Sequence, residues 1–340
     1  MLHDHTIYAF TMKNNNGMEI TCLNYGCIIT DIIVSDKEGN FENVVLGYDT
    51  LEEYVNDTLY FGAVVGRVGG RIKDAQFELD NQTYTLTKNE QNNHIHGGAK
   101  GFNRVIWNAA LFEKDDEVGV TFNYVSPDGE GGYPGNVDVK VTYILNNANE
   151  LAIFYEAITD KRTPFSVTNH SYFNLSGNFK RDILEHTLKL KSNKFLELDH
   201  ELIPTGKVLD VKDTPFDFTK ERCIKSGANS NHEQNVLVGR GYDHPFLLDS
   251  KHDEEIVLKD PDNGRTLIVE TDEVGVIVYS GNGLGEEGSI RGVPLKKHLG
   301  ICLETQGLPN AVQHPTFPSV ILNKDEKYHS ITKYRFGVDR

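Results

Sequence analysis

The chain has 340 residues, 38% of them hydrophobic, with 34 Lys+Arg against 50 Asp+Glu and a formal net charge of −16 at pH 7. A field of that sign repels nucleic acid and anionic membranes, and leaves a neutral small molecule as a partner it does not disfavour. The length still permits a large core, because a chain of about 300 residues buries roughly three quarters of its unfolded surface.

The N-terminal Met1-Leu2-His3-Asp4-His5-Thr6-Ile7-Tyr8 has no basic segment followed by an apolar run. No later stretch reaches the length that spans a bilayer, so a cytoplasmic protein is expected. Thr50 and Glu53 form a capping box for a short helix through Tyr54, and no long helical period follows. Leu79-Asp80-Asn81-Gln82 reads as a tight turn of residues that tolerate positive φ. Val118–Tyr124, Val137–Tyr143 and Leu188–Lys191 alternate apolar with polar residues, each predicting a strand with one wet face. Asp262-Asn263-Gly264 is the clearest hairpin signal. Many short strands without intervening helices predict an all-β fold, a large antiparallel β-sandwich with very little helix.

The run Ser126-Pro127-Asp128-Gly129-Glu130-Gly131-Gly132-Tyr133-Pro134-Gly135-Asn136 lacks phosphate-cradle and calcium-loop spacing. It reads as an exposed loop, with a lid or cleft rim as the alternative. No internal repeat or Pro/Ser linker divides the chain, so residues 1–340 are expected to form one domain. Cys22, Cys27, Cys223 and Cys302 show no CxxC pair and read as free thiols.

Chemistry concentrates in four segments. Lys161-Arg162-Thr163-Pro164-Phe165-Ser166-Val167-Thr168-Asn169-His170-Ser171-Tyr172-Phe173-Asn174-Leu175 carries His170 between donors that can fix its tautomer, with rings behind it that can stack on a sugar. A satisfied core histidine is the alternative. Ile301-Cys302-Leu303-Glu304-Thr305-Gln306-Gly307-Leu308-Pro309-Asn310-Ala311 puts a carboxylate on an apolar strand, where burial would raise its pKa and sharpen it as a base. A strand-end glutamate facing water is the bland reading. Cys302 shares the face of Glu304 on such a strand, as a nucleophile or as a small buried filler.

Asn93-His94-Ile95-His96-Gly97-Gly98, if extended, puts both histidines on one face. A metal site completed by Asp243 or Glu304 then has to be weighed, with a structural His94 as the simpler reading. In Gly241-Tyr242-Asp243-His244-Pro245-Phe246, Asp243 can accept from two hydroxyls or cap a turn. Arg71, in Gly66-Arg67-Val68-Gly69-Gly70-Arg71-Ile72, can donate to a hydroxyl or pair with an acid.

Together with Asn24-Tyr25-Gly26 and Thr214-Pro215-Phe216-Asp217-Phe218, these motifs resemble the aldose 1-epimerase (galactose mutarotase) family over nearly the whole chain. The resemblance implies a galactose mutarotase-like supersandwich that interconverts the α and β anomers of galactose and glucose by opening and closing the sugar ring. It assigns Glu304 as base and His170 as acid, His96 as a donor near the ring oxygen, and Arg71, Asp243 and Tyr172 to sugar binding. No metal or other cofactor, no nucleic acid and no membrane is implied, and a homodimer stays open. Phe173, Tyr279 and Trp107 are further aromatic candidates for stacking, with a core position the simpler reading for each.

Two positions depart from the pattern: Gly70 stands where the family usually has Asn, and Ile277 where relatives often have Gln. The rivals are a carbohydrate-binding protein without turnover, for which a Glu and His pair would be superfluous, and a metal-dependent hydrolase or isomerase built on His94, His96 and Asp243. An epimerase of hexose 6-phosphates would want a Lys/Arg cluster beside these motifs, and none is there.

Overall fold

The computed structural model describes residues 5–285 and 287–339. Three antiparallel sheets dominate it. One has nine strands, in spatial order Asn108–Lys114, Glu117–Ser126, Val137–Asn146, Glu150–Thr159, Lys327–Val338, Arg265–Thr271, Ile256–Lys259, Thr187–Leu190 and Arg222–Cys223. A second has six: Tyr172–Phe173, Ile301–Gln306, Gly275–Tyr279, Asp243–Leu247, Lys194–Leu198 and Pro204–Asp210. The third joins four N-terminal strands between Ala9 and Asn43. The α-helices among the described residues are three segments of four or five residues, Leu51–Val55, Lys225–Ala228 and Glu233–Leu237. None of them is long and apolar enough to cross a membrane.

Alternation decides which side of each strand is buried. Val137, Val139, Val141, Tyr143 and Leu145 are fully buried on one strand of the nine-stranded sheet. They join Phe246, Val276, Val278, Ile301 and Leu303 of the six-stranded sheet, and Met12, Ile20 and Ile32 of the N-terminal sheet, in one apolar cluster. The six-stranded sheet thus turns one face to this core and keeps the other for polar chemistry.

The local predictions hold where turn chemistry is strong. Thr50 Oγ1 accepts from the Glu53 amide at 3.4 Å, and Glu53 Oε2 accepts from the Thr50 amide at 2.9 Å, closing the capping box. Asp80 and Asn81, with φ of 52° and 59°, make the two-residue turn between Gln76–Leu79 and Gln82–Thr85. Gly264, at φ 78°, closes the connection between Ile256–Lys259 and Arg265–Thr271.

The glycine-rich run is exposed at Pro127, Asp128, Gly129 and Asn136, as read from the sequence, and buried or half-buried elsewhere. Arg67 is buried and donates to Ser126 Oγ and to the carbonyls of Ser126, Pro127 and Pro134 at 2.8–2.9 Å. Tyr133 is fully buried, and the residues from Tyr133 to Gly135 lie inside rather than in solvent. A buried guanidinium needs many acceptors, and this loop's backbone supplies them.

Candidate active site

Strand register sets one wall of the site. Tyr172, Cys302, Tyr279 and Asp243 lie opposite one another across four adjacent strands. Two residues along, Glu304, Ile277 and Pro245 form a second row. Directly opposed residues share a face, and so do residues two apart, so all seven side chains leave the sheet on the side away from the core. Ile301 and Leu303, in between, face the core.

His170 comes from another element. Thr168–Asn169 pairs with Val64–Val65, and the next residue is clamped through its backbone, His170 N to Ala63 O at 2.8 Å and Gly62 N to His170 O at 3.1 Å. Asn169 and Ser171 do not fix the imidazole's tautomer as expected. Asn169 uses its side chain on the Gly62 carbonyl and the Ser171 amide. The ring instead meets the strand Ile301–Gln306 twice: Nε2 lies 3.6 Å from Glu304 Oε1, and Nδ1 lies 3.6 Å from Cys302 Sγ.

The opposite side is a two-strand ribbon in which Arg71 pairs with Ile95 and Ile72 with His94. His96 follows with φ 50°, which breaks the extended geometry and separates the two histidines. His94 turns inward, with Nδ1 2.6 Å from Thr87 O and Nε2 2.8 Å from the hydroxyl of Tyr133. It is structural. His96 turns to the site and accepts from the Gly70 amide at Nδ1, at 3.2 Å. A Cβ on Gly97 would lie 1.6 Å from Gly66 O, so only glycine lets this turn close behind His96. Arg71 is gripped by Glu90 through two bonds of 2.7 and 2.8 Å, with its Nη1 3.7 Å from Asp243 Oδ2. The hydroxyl donor and the salt-bridge readings of Arg71 are therefore compatible, since the pairs aim its fork into the cleft.

These groups line a cavity of about 320 Å³, at the small end of the range for small-molecule sites, roughly 300–1,000 Å³. Glu304, His170, His96, Arg71, Asp243 and Tyr172 all reach it, as do Tyr279 and Ile277. Phe173 and Trp107 do not; they pack in the core against Tyr334 and Phe102. The Thr214–Phe218 motif acts behind the wall, where Phe216 stacks on Phe195 at 4.0 Å and meets the ring of His244 at 4.7 Å. Tyr60 and Glu90 are among the lining residues that escaped the sequence reading. Tyr60 sets its ring 4.8 Å from that of His96 and 5.7 Å from that of His170. Glu90 holds Arg71. Both sit in irregular segments with no periodicity to single them out.

Burial, then the neighbouring Asp243 carboxylate, hold Glu304 well above the usual carboxylate range, against the pull of Arg71. Burial pushes His170 down to about 4, so burial alone leaves it neutral at pH 7. The ion pair pulls the other way, because a charged pair about 4 Å apart attracts by on the order of 4 kcal/mol where the effective dielectric is near 20. The two groups therefore act as one coupled unit in which a single proton has two seats. Burial, then the charges of His170, Arg71 and His94, keep His96 neutral.

His96, His170 and Glu304 could each offer a ligand atom within 4.8 Å of the others. The tautomer of His96 speaks against a metal there. A backbone N–H aimed at Nδ1 requires a lone pair on that nitrogen, which leaves the proton on Nε2, where a metal would need the electrons. The set built on His94, His96 and Asp243 is not assembled, since His94 is committed to Thr87 and Tyr133. Arg71 is the one cation among the described lining residues, which does not suit a phosphate.

Comparison with known proteins agrees with this architecture. The chain is 39% identical over 338 residues to the galactose mutarotases of Bos taurus and Homo sapiens, covering 98% of this chain and 95% of each relative. It is 33% identical over 331 residues to the aldose 1-epimerase of Escherichia coli, covering 96% and 94%. The crystal structure of a galactose 1-epimerase from Lactobacillus acidophilus superposes with a TM-score of 0.90 at 28% identity, over 100% of this chain and 97% of that one. The sequence model of the family described as aldose 1-epimerase matches residues 8–335. With that match and relatives of this identity over almost its full length, the chain belongs to the aldose 1-epimerase family.

Proposed function

We propose that this protein interconverts the α and β anomers of galactose, and also of glucose, with Glu304 as base and His170 as acid. The observation that carries the reading is the approach of Glu304 Oε1 to His170 Nε2, 3.6 Å, in the wall of a sugar-sized cavity.

The reaction starts from the seat arrangement with Glu304 ionised and His170 protonated. Glu304 takes the proton of the C1 hydroxyl while His170 gives its Nε2 proton to the ring oxygen. The bond from C1 to the ring oxygen breaks, and an open-chain aldehyde results. Rotation about C1–C2 presents the other carbonyl face. The C5 hydroxyl then attacks C1, His170 recovers its proton from that oxygen, and Glu304 returns its own to the carbonyl oxygen. Atoms and charge balance with no other reagent. An acid and a base each contribute roughly 10²–10⁴-fold, enough for a reaction that already proceeds in water.

His96, as a fixed Nε2–H donor, offers a hydrogen bond without titrating. Arg71 and Asp243 orient hydroxyls, one donating and one accepting. Tyr172, whose ring lies 5.1 Å from that of His170, supplies an apolar face beside the reacting edge.

Polarimetry of freshly dissolved α-galactose and α-glucose, with and without chelator, tests this. The expected result is an accelerated change of rotation for both sugars that chelator leaves unaltered. Sugar binding without acceleration would make the protein a binding module, and loss of rate on chelation would bring back a metal.

A further inference from the structure

We propose that Cys302 is a positioning residue for His170: its sulfur holds Nδ1 of the imidazole, so that Nε2 is turned to Glu304 and to the sugar. The inference rests on the reading of His170 as the acid. One strand supplies both partners of the ring, since residues two apart share a face and Cys302 and Glu304 stand at i and i+2.

The chemistry needs such a partner. Nε2 must lose and regain a proton within each turnover, so the neutral ring has to carry its hydrogen on Nδ1. That N–H requires an acceptor inside the protein, and beside the residue's own backbone carbonyl, Sγ at 3.6 Å is the side-chain atom placed to be one. Cys302 is fully buried, and burial, then the nearby carboxylates Glu304 and Asp243, hold its thiol well above the ordinary range. It therefore meets His170 as a neutral thiol, a weak acceptor. A carboxylate at this position would orient the ring equally well but would stabilise the imidazolium and blunt it as an acid. A thiol orients the ring without doing so. Nucleophilic chemistry is a poor use of this group, because the thiolate is disfavoured.

The other titratable groups that face His170 are Glu304 at its Nε2, His96 with ring centroids 5.0 Å apart, and Tyr60 and Tyr172 at 5.7 and 5.1 Å. Arg71 and Asp243 line the same cavity. None of these touches Nδ1 within hydrogen-bond range, and because the Tyr172 side chain also bonds the Cys302 sulfur, the His170 resonances are the readout that isolates the Nδ1 contact.

The test uses ¹⁵N-histidine NMR on the intact protein together with polarimetric rates, for wild type, Cys302→Ala and Cys302→Ser. In wild type the neutral His170 should show the Nδ1–H tautomer. Cys302→Ala should shift or broaden those resonances and lower kcat about 10-fold with KM changed less than about two-fold, because orientation rather than binding is lost. Cys302→Ser, whose oxygen accepts more strongly, should keep the tautomer, restore kcat and move the alkaline limb of the kcat profile upward by about half a unit. If Cys302→Ala does not fold, the serine variant alone decides through its tautomer and its limb. Resonances of His170 that are identical in all three proteins overturn the proposal. Resonances that move while kcat and its pH profile stay fixed support the contact and count against His170 as the acid.

Discussion

Ile277 stands directly opposite Glu304 on the neighbouring strand and reaches the same cavity. An apolar neighbour offers the carboxylate no hydrogen bond, which adds to the burial that keeps Glu304 reluctant to ionise. Where relatives often carry Gln, an amide N–H could stabilise the charged form. Ile277→Gln is therefore expected to lower the pKa of Glu304. Because the base works only when ionised, the limb on which kcat rises with pH should move to lower pH, as rates measured from pH 4 to 8 would show. An unmoved limb would mean that Ile277 does not govern the carboxyl. Gly70, the other departure, keeps a role through its backbone: its amide fixes the tautomer of His96, and a side chain there would begin 2.9 Å from Pro309. The sequence showed that both positions were unusual, but not that one acts through an amide and the other through what it fails to donate.

Elements were legible to the extent that periodicity or turn chemistry marks them. Alternation placed Cys302 and Glu304 on one face of a strand, and the structure uses that face for both nitrogens of one imidazole. The same rule misled at His94 and His96, because His96 itself takes φ 50° and ends the strand His94–Ile95, and nothing in Asn93–Gly98 announces it. Composition made the Ser126–Asn136 run look exposed, which holds at Pro127–Gly129 and Asn136 but not at Tyr133–Gly135, and the hold of a buried arginine from a distant segment on its carbonyls was not legible.

That loop and the ribbon meet at His94, which gives a prediction at this scale. His94→Asn removes the bond to Tyr133 and should destabilise the protein by about 1–3 kcal/mol in urea at pH 7, with kcat little changed. Burial lowers His94 to about 4, while the unfolded chain takes up its proton near 6.5, so the stability it contributes is complete above 6.5 and lost as pH falls toward 4. The deficit of the variant should narrow between pH 7 and pH 5. A gap that widens on acidification would contradict the neutral, buried His94.

For the whole molecule, the apolar cluster runs from Met12 to Phe336 and draws on all three large sheets. We propose on that basis that the chain folds as one unit. Urea unfolding followed through Trp107 fluorescence and through far-ultraviolet circular dichroism should then give one coincident transition; separated midpoints would divide the chain. The fold class was legible because many short alternating strands with little helix leave few architectures open. The cleft was legible only through motifs, since its walls come from the ribbon near residue 71, the loop at 170 and strands beyond 240, whose meeting no local pattern encodes.

The most direct test of the proton relay is the optical rotation of freshly dissolved α-galactose in the presence of Glu304→Gln, alongside calorimetric titration of the same variant with galactose. An amide of the same shape cannot accept the C1 proton, so kcat should fall by roughly 10²–10⁴-fold while galactose binding stays measurable. A rate near that of the wild type, with binding intact, would remove Glu304 as the base and the account with it.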